Sequence, residues 1–435
     1  MVFKPIQKLS VTRTLSTGVS LLVGVLAQNQ QGVFFQYEAD YLKEFGNLSP
    51  FTLQNSTNLQ AAPAEPHNGL HGVFADSLPD GWGTLLQNRV FRQQGILPSQ
   101  VTAMDRLAFV GARGMGALSY APVSDFKTVT ESAIDLATLG LQAQATFDQA
   151  VMGEGDLDKV FSALVATGSS GGARPKAQIY CSPDTSYPYR TQPKAGDEAW
   201  LIKFTSQNLA LGHEEGLCEA AYLYLAKQAG LQPPEWQLLE APVKSGAKAW
   251  LAVKRFDWLE NTLSDKAGRL HLHSAGGLLD ADYLTPSLDY ADLIKASRQL
   301  CKSTAVGQLQ FKRAMFNLFS CNQDDHSKNW AFLQSDRGDW QPAPFYDVTF
   351  SPHPFNEHAT AFAGYGKKPP VPAIQKLANV AGFASWQEAQ LAIQEVVDVL
   401  AGFTVIAQEL GVRKSTVKAI EKALANQRKE NDFYC

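Results

Sequence analysis

The order of apolar segments between residues 177 and 256 narrows the possible folds more than any other feature of the chain. Short β-type runs at Ala177 to Tyr180 and Ala199 to Phe204 precede one helical segment, His213 to Gln228, which stops at Gly230. Two further β-type runs follow, Trp236 to Glu240 and Trp250 to Phe256. Beyond about residue 285 the period changes from two to three or four. Tyr290 to Cys301, Gln308 to Phe319, Trp386 to Leu410 and Ser415 to Asn426 all read as helices. A sheet-bearing part followed by a mostly helical part is an α+β arrangement.

Upstream, Leu21 to Leu26 and Val33 to Tyr37 are strand-like and are separated by Gln28-Asn29-Gln30-Gln31-Gly32, a hairpin-like break. Leu78-Pro79-Asp80-Gly81-Trp82-Gly83 punctuates the start of a helix over roughly Thr84 to Gln94. Gly111 to Gly116 precedes a strand, Ala117 to Ala121, and closes a candidate N-terminal domain near residue 125. Residues 131 to 167 have apolar positions at helical spacing. Boundaries at 1–125, 126–260 and 261–435 are expected for a chain of 435 residues.

The net charge of −4 excludes a bulk positive field for gripping nucleic acid and leaves a local patch open. The five cysteines have no C-x-x-C spacing and their count is odd, so no disulfide framework is expected and a reducing cytoplasm fits. The longest apolar run near the start, Val19 to Ala27, is shorter than the roughly 20 residues a membrane helix takes. It is expected to be a buried strand, and no other run is expected to come closer to spanning a membrane.

The sharpest polar constellation is Asp324-Asp325-His326-Ser327-Lys328-Asn329, followed by Asp347 in Pro344-Phe345-Tyr346-Asp347. Asp-x-x-x-x-Asn is the spacing of a kinase catalytic loop, and a later Asp after a short apolar run stands where a metal-binding carboxylate belongs. Such oxygen ligands suit magnesium. A polar loop capping two helices would use the same residues. A second element is Gly168-Ser169-Ser170-Gly171-Gly172-Ala173-Arg174-Pro175-Lys176. It fits neither the Rossmann nor the Walker-A fingerprint, yet glycines beside Ser, Arg and Lys suit a phosphate-binding turn. The third is Lys203, inside the apolar run Trp200-Leu201-Ile202-Lys203-Phe204, with Glu219 sixteen residues on in the helix. A strand lysine paired with a helix glutamate positions phosphates in kinases; alone, it would read as an exposed edge residue.

These stretches, together with Leu78-Pro79-Asp80 and Ala252-Val253-Lys254-Arg255-Phe256-Asp257, resemble the HipA family of bacterial serine/threonine kinases over residues about 70 to 350. The resemblance implies a two-lobed kinase-like fold with an N-terminal β-rich subdomain and a helical large lobe. It implies ATP and Mg as cofactors, Asp324 as the catalytic aspartate, and Asn329 and Asp347 as magnesium ligands. Gly171, Gly172, Ala173, Arg174, Lys176, Lys203, His326 and Tyr346 would border the nucleotide, with Lys254, Arg255 and Phe256 as its hinge and Glu219 as a structural ion-pair partner. Ser169, or its neighbour Ser170, aligns with the serine that family members autophosphorylate. The implied partners are a HipB-like helix-turn-helix antitoxin, operator DNA through that complex, and a protein substrate such as an aminoacyl-tRNA synthetase. Asp325 departs from the glycine often found there, so two carboxylates compete for the base role.

Three rival readings use other residues. Asp324, Asp325 and His326 with His271 and His273 could form a zinc or manganese hydrolase site. A catalytically idle kinase fold could serve as a co-repressor. Ala407 to Val412 followed by Ser415-Thr416-Val417 resembles a helix-turn-helix with Arg413, Lys414, Lys418, Lys422, Arg428 and Lys429 nearby, although a helix pair closing the lobe explains it as well.

Overall fold

The computed structural model describes residues 3–124, 133–152, 164, 165, 172, 174–183, 188–260 and 266–434. Ser169, Ser170, Gly171 and Ala173 lie outside the described residues. The N-terminal part is an antiparallel five-stranded sheet in the order Gln60–Ala61, Gly32–Tyr37, Ser20–Asn29, Lys8–Thr14, Leu118–Ala121. The expected hairpin forms, with Asn29 opposite Gly32. The run from Val19 is a strand with one wet face, not a fully buried one: Val23 and Leu26 are buried, Val19 and Leu22 exposed. Lys8–Thr14 went unread because only Leu9 and Val11 are apolar in it, yet both are fully buried against Val23, Phe35 and Phe74.

The second sheet follows the strand–strand–helix–strand–strand reading. Its antiparallel order is Lys176–Cys181, Glu198–Lys203, Ala249–Lys254, Trp236–Glu240. Helix Glu215–Gln228 packs on it through Ala220 and Leu223 against Leu251 and Val253. Helix Leu136–Met152 approaches the same sheet at Gly140, where a Cβ would come 2.2 Å from the Trp250 ring. Only glycine allows that approach.

The C-terminal part is helical and shares one large core. Tyr290–Cys301 has the expected limits; the next helix begins earlier, at Thr304, capped by Ser303. Val371–Ala381 was not expected, because its apolar residues follow a proline-rich stretch. The single helix expected over Trp386 to Leu410 is two, Trp386–Leu400 and Phe403–Glu409, separated at Ala401-Gly402. Among the described residues this stretch is long and apolar enough to cross a membrane by length and composition, contrary to the reading above. Its inner residues Ile393, Val396, Val397, Phe403 and Ala407 pack into the core. The helix-turn-helix-like tail is a helix pair closing the lobe: Val412, Val417 and Ile420 are buried, and Glu214 accepts from Arg413 N–H at 2.5 Å and from the Thr416 hydroxyl. Lys414, Lys418, Lys422, Arg428 and Lys429 stay on its wet face.

The N-terminal sheet is bolted to the rest by buried polar groups. Arg13 donates to Tyr41, to the side chain and carbonyl of Gln334, and to the Ser335 carbonyl. His273 bridges Asp76 at 2.6 Å and Ser49 at 2.7 Å, and Asp76 also accepts from Ser274 N–H at 2.7 Å. The short helices Gly72–Ala75 and Ala275–Leu278 cross backbone to backbone, and a Cβ on Gly72 would sit 2.1 Å from the Gly277 carbonyl oxygen. That oxygen cannot step aside, so Gly72→Ala should destabilise the protein by about 1–3 kcal/mol, read as a lower urea midpoint at unchanged slope.

Candidate functional site

The cleft is built where the two sheet-end cations meet carboxylates from elsewhere. Lys176 and Lys203 are directly opposite on adjacent antiparallel strands, so their side chains share a face. Two like charges so placed repel unless anions lie between them. Lys203 Nζ is 2.6 Å from Glu219 Oε1 and also donates to Asp347 Oδ1. Glu215 and Glu219 lie four residues apart on one helix face, and Arg174 reaches both, at 3.0 Å and 3.6 Å. Burial would push the Lys203 ammonium down, but Asp347 and Glu219 outweigh it and raise its pKa. Burial likewise pushes Asp347 up, while Lys203, Lys176 and Arg174 overcome it and hold the carboxyl well below the usual range. Lys176 is pushed down, by burial first and then by Lys203, with Asp347 opposing.

Asp347 sits at φ +53°, a left-handed conformation that Asp tolerates better than most residues. It follows Tyr346, whose hydroxyl donates to the Lys328 carbonyl at 2.6 Å and so joins this turn to the catalytic-type loop. Within that loop Ser327–Asn329 forms one turn of 3₁₀ helix. Asn329 Nδ2 donates to the Asp324 carbonyl at 2.7 Å, which leaves its Oδ1 for another partner. Asp324 is exposed at the cleft wall, and its pKa is raised by partial desolvation there and by repulsion from Asp347, against the pull of His326.

The competition between Asp324 and Asp325 is resolved by burial. Asp325 is 1% exposed. It accepts from Tyr290 at 2.5 Å, His358 Nδ1 at 2.9 Å and Thr360 N–H at 3.2 Å, so it anchors the loop and faces no solvent. His358, in a loop, is part of that anchor. His271 and His273 are buried on a strand and bonded to Leu48 and to Asp76 and Ser49. Among the described residues no group of three or more His, Cys, Asp or Glu could hold a metal, so the zinc-hydrolase reading lacks a ligand set.

Gly172, Arg174, Lys176, Lys203, Asp324, His326, Asn329 and Asp347 line one cleft of about 530 Å³, which also takes in Lys254, Arg255, Phe256 and Tyr346. Such a volume suits a nucleotide-sized ligand. At its apolar end Leu201, Leu223 and Val253 are joined by Phe256, which stacks on Tyr346 at 5.5 Å. The hinge side chains are otherwise engaged. Lys254 pairs with Glu198 at 2.6 Å and Glu260 at 2.9 Å; Arg255 is buried on Asp257 and Gln178. His326 Nδ1 is buried without a hydrogen-bond partner, and its ring faces this same cleft. Asp80, Lys328 and Tyr283 also line the cleft, although the sequence assigned none of them a role there. Asp80 stands in Leu78-Pro79-Asp80, one of the stretches that carry the family resemblance, where the sequence marks it only as part of the turn that opens a helix.

A four-stranded antiparallel sheet with a buried lysine–glutamate pair, set over a helical lobe that presents Asp324, Asn329 and Asp347, defines a kinase-like fold of the HipA type. The chain belongs to the HipA family. The family model described as HipA-like C-terminal domain matches residues 168–403, and the HipA N-terminal domain matches residues 19–121. The chain is 26% identical over 203 residues to Y4dM, a candidate kinase of Sinorhizobium fredii; the match takes in 44% of this chain and 47% of that protein, about half its length. Its fold is similar to that of a chain in the structure of the Shewanella oneidensis MR-1 toxin–antitoxin system HipA, HipB and operator DNA complex. The TM-score is 0.66 at 15% identity, over 96% of this chain and 97% of that one. The Helicobacter pylori proinflammatory kinase CtkA aligns over 54% of this chain and 93% of that one at a TM-score of 0.29 and 11% identity, too low to support an argument.

The depressed Asp347 carboxyl contributes stability that is present above the unfolded carboxylate pKa of about 3.9 and lost as pH falls below it. In metal-free buffer Asp347→Asn should therefore flatten the acid limb of the stability profile, measured as urea midpoints from about pH 5 downward.

Proposed function

We propose that the chain is an ATP- and magnesium-dependent serine/threonine protein kinase, the toxin of a toxin–antitoxin pair. One observation carries this reading: a single buried ammonium, Lys203, joins the Glu219 helix to Asp347 of the helical lobe. That contact sets a cation suited to phosphate beside Asp347, in the cleft that Asp324 and Asn329 also line.

The donor set fits magnesium. Asn329 Oδ1 and the Asp347 carboxylate are hard oxygen ligands, and magnesium is commonly held by one or two carboxylates plus substrate phosphates, not by an all-protein cage. When bound, it supplies neutralisation of charge on the β- and γ-phosphates. Lys203 and Lys176 face the remaining phosphate oxygens, and Arg174 extends that basic wall. Asp324 orients the substrate hydroxyl; its raised pKa makes it a better proton acceptor than an ordinary carboxylate. The hydroxyl oxygen bonds to the γ-phosphorus as the bond to the β–γ bridging oxygen breaks. ADP leaves, and the proton goes to Asp324.

Family membership supports a HipB-like helix-turn-helix antitoxin as partner and operator DNA through that complex. Autophosphorylation at Ser169 or Ser170 would add about −1.5 to −2 charges beside Gly172 and Arg174 and reorder the phosphate side of the cleft. An aminoacyl-tRNA synthetase as substrate is carried by the resemblance alone.

Incubation with labelled ATP and magnesium should give a phosphoprotein mapping to Ser169 or Ser170. Asp324→Asn should lower transfer by roughly 10²–10⁴-fold with an unchanged urea midpoint, and chelation of magnesium should abolish it. Undiminished autophosphorylation in the Asp324→Asn protein would remove the proton-acceptor assignment.

A further inference from the structure

Asp80 and Gly81, where helix Gly81–Gln93 begins, belong to the N-terminal part of the chain, yet they line the cleft. Asp80 occupies the N-cap position of helix Gly81–Gln93 with extended backbone angles, and its side chain accepts no hydrogen bond from that helix. Serving as a cap is the ordinary reason for an aspartate there, and Asp80 does not do it. Its carboxylate is 7% exposed and points elsewhere. Oδ1 accepts from Gly172 N–H, and Oδ2 lies 3.5 Å from Lys328 Nζ.

The same turn grips Gly172 from its other side. Trp82 N–H donates to the Gly172 carbonyl at 3.1 Å, and Trp82 Nε1 donates to the Lys176 carbonyl at 2.8 Å. Both polar groups of Gly172 are therefore held by residues some ninety positions away in sequence. Gly172 has φ +99°, a conformation essentially confined to glycine. Lys328 is fixed from two directions, since its ammonium also lies 4.0 Å from the Tyr283 ring centroid. It immediately precedes Asn329. The turn itself is rigid: four residues before Asp80, Asp76 is held by His273 and Ser274.

We infer that Asp80 is a positioning residue: its carboxylate ties the phosphate-side backbone at Gly172 to the catalytic-type loop at Lys328, so that the N-terminal unit sets the geometry of phosphoryl transfer. This rests on the kinase reading of the cleft. The two oxygens have separable effects. Holding Gly172 fixes the backbone ahead of Arg174 and Lys176 and governs nucleotide KM. Holding Lys328 aims a cation beside the site of transfer and governs kcat.

Asparagine at position 80 keeps an acceptor for Gly172 and loses the charge that attracts Lys328; alanine loses both. Asp80→Ala should raise KM for ATP roughly tenfold and speed hydrogen exchange in the peptide carrying Gly172. Asp80→Asn should keep both near wild type while kcat falls roughly tenfold. Lys328→Gln should lower kcat similarly, and Asp80→Asn/Lys328→Gln should be no slower than Lys328→Gln alone, as expected for partners in one interaction. Equal effects of Asn and Ala on KM and exchange, or additive losses in the double variant, would overturn the inference. Hydrogen exchange needs no turnover, so it separates the two claims. If the wild-type protein transfers no phosphate, the kinase reading fails, while faster exchange in Asp80→Ala still supports the tether and unchanged exchange refutes it. Should Asp80→Ala fail to fold, the Asp80→Asn and Lys328→Gln cycle decides.

Discussion

The structure turns on one ammonium group. Lys203 extends from a strand of the second sheet, and its charge is shared by Glu219 from the packed helix and Asp347 from the helical lobe. A buried lysine is costly unless it is paired, and here the pairing joins a strand and the helix that follows it to a carboxylate 144 residues further on. Lys176, directly across the sheet, adds a second positive charge to the same face. The result is a wall of cations opposite a wall of oxygen donors. Such an arrangement suits an anionic group on this side of the cleft, while Leu201, Leu223 and Val253 line an apolar end.

The two adjacent aspartates of the catalytic-type loop show how environment divides identical side chains. Asp325 is enclosed by Tyr290, His358 and Thr360, and so fixes where the loop runs. Asp324 follows a residue whose side chain is also bonded: Gln323 donates to Asn356 and accepts from His353 N–H. Anchored on both sides, Asp324 is left exposed at the cleft. Anchored neighbours around an exposed carboxylate are what the proposed proton transfer would require.

The N-terminal sheet is part of the same mechanism of support. Its contacts through Arg13, Asp76 and the Gly72–Gly277 crossing are buried and polar or sterically tight, so they tolerate little relative movement. Asp80 then carries that rigidity to the phosphate side of the cleft. A unit that looks separable by sequence thus holds one edge of the site.

Much of this was legible in the chain itself. The strand–strand–helix–strand–strand order, the 16-residue spacing from Lys203 to Glu219, and the gap from Asp324 to Asn329 rest on local period and short spacing. Those signals survive without three dimensions, because hydrophobic alternation and helical repeat are properties of neighbouring residues. What failed depended on distance. The break at Ala401-Gly402 and the commitment of Arg255 to Gln178 were fixed by packing against elements elsewhere in the chain. Asp80 is the sharpest case. In sequence it stands in a turn that opens a helix, and only the tertiary fold brings Gly172 and Lys328 to its two oxygens. A carboxylate's role is set by which donors reach it, and donors brought from 92 and 248 residues away leave no trace in local pattern.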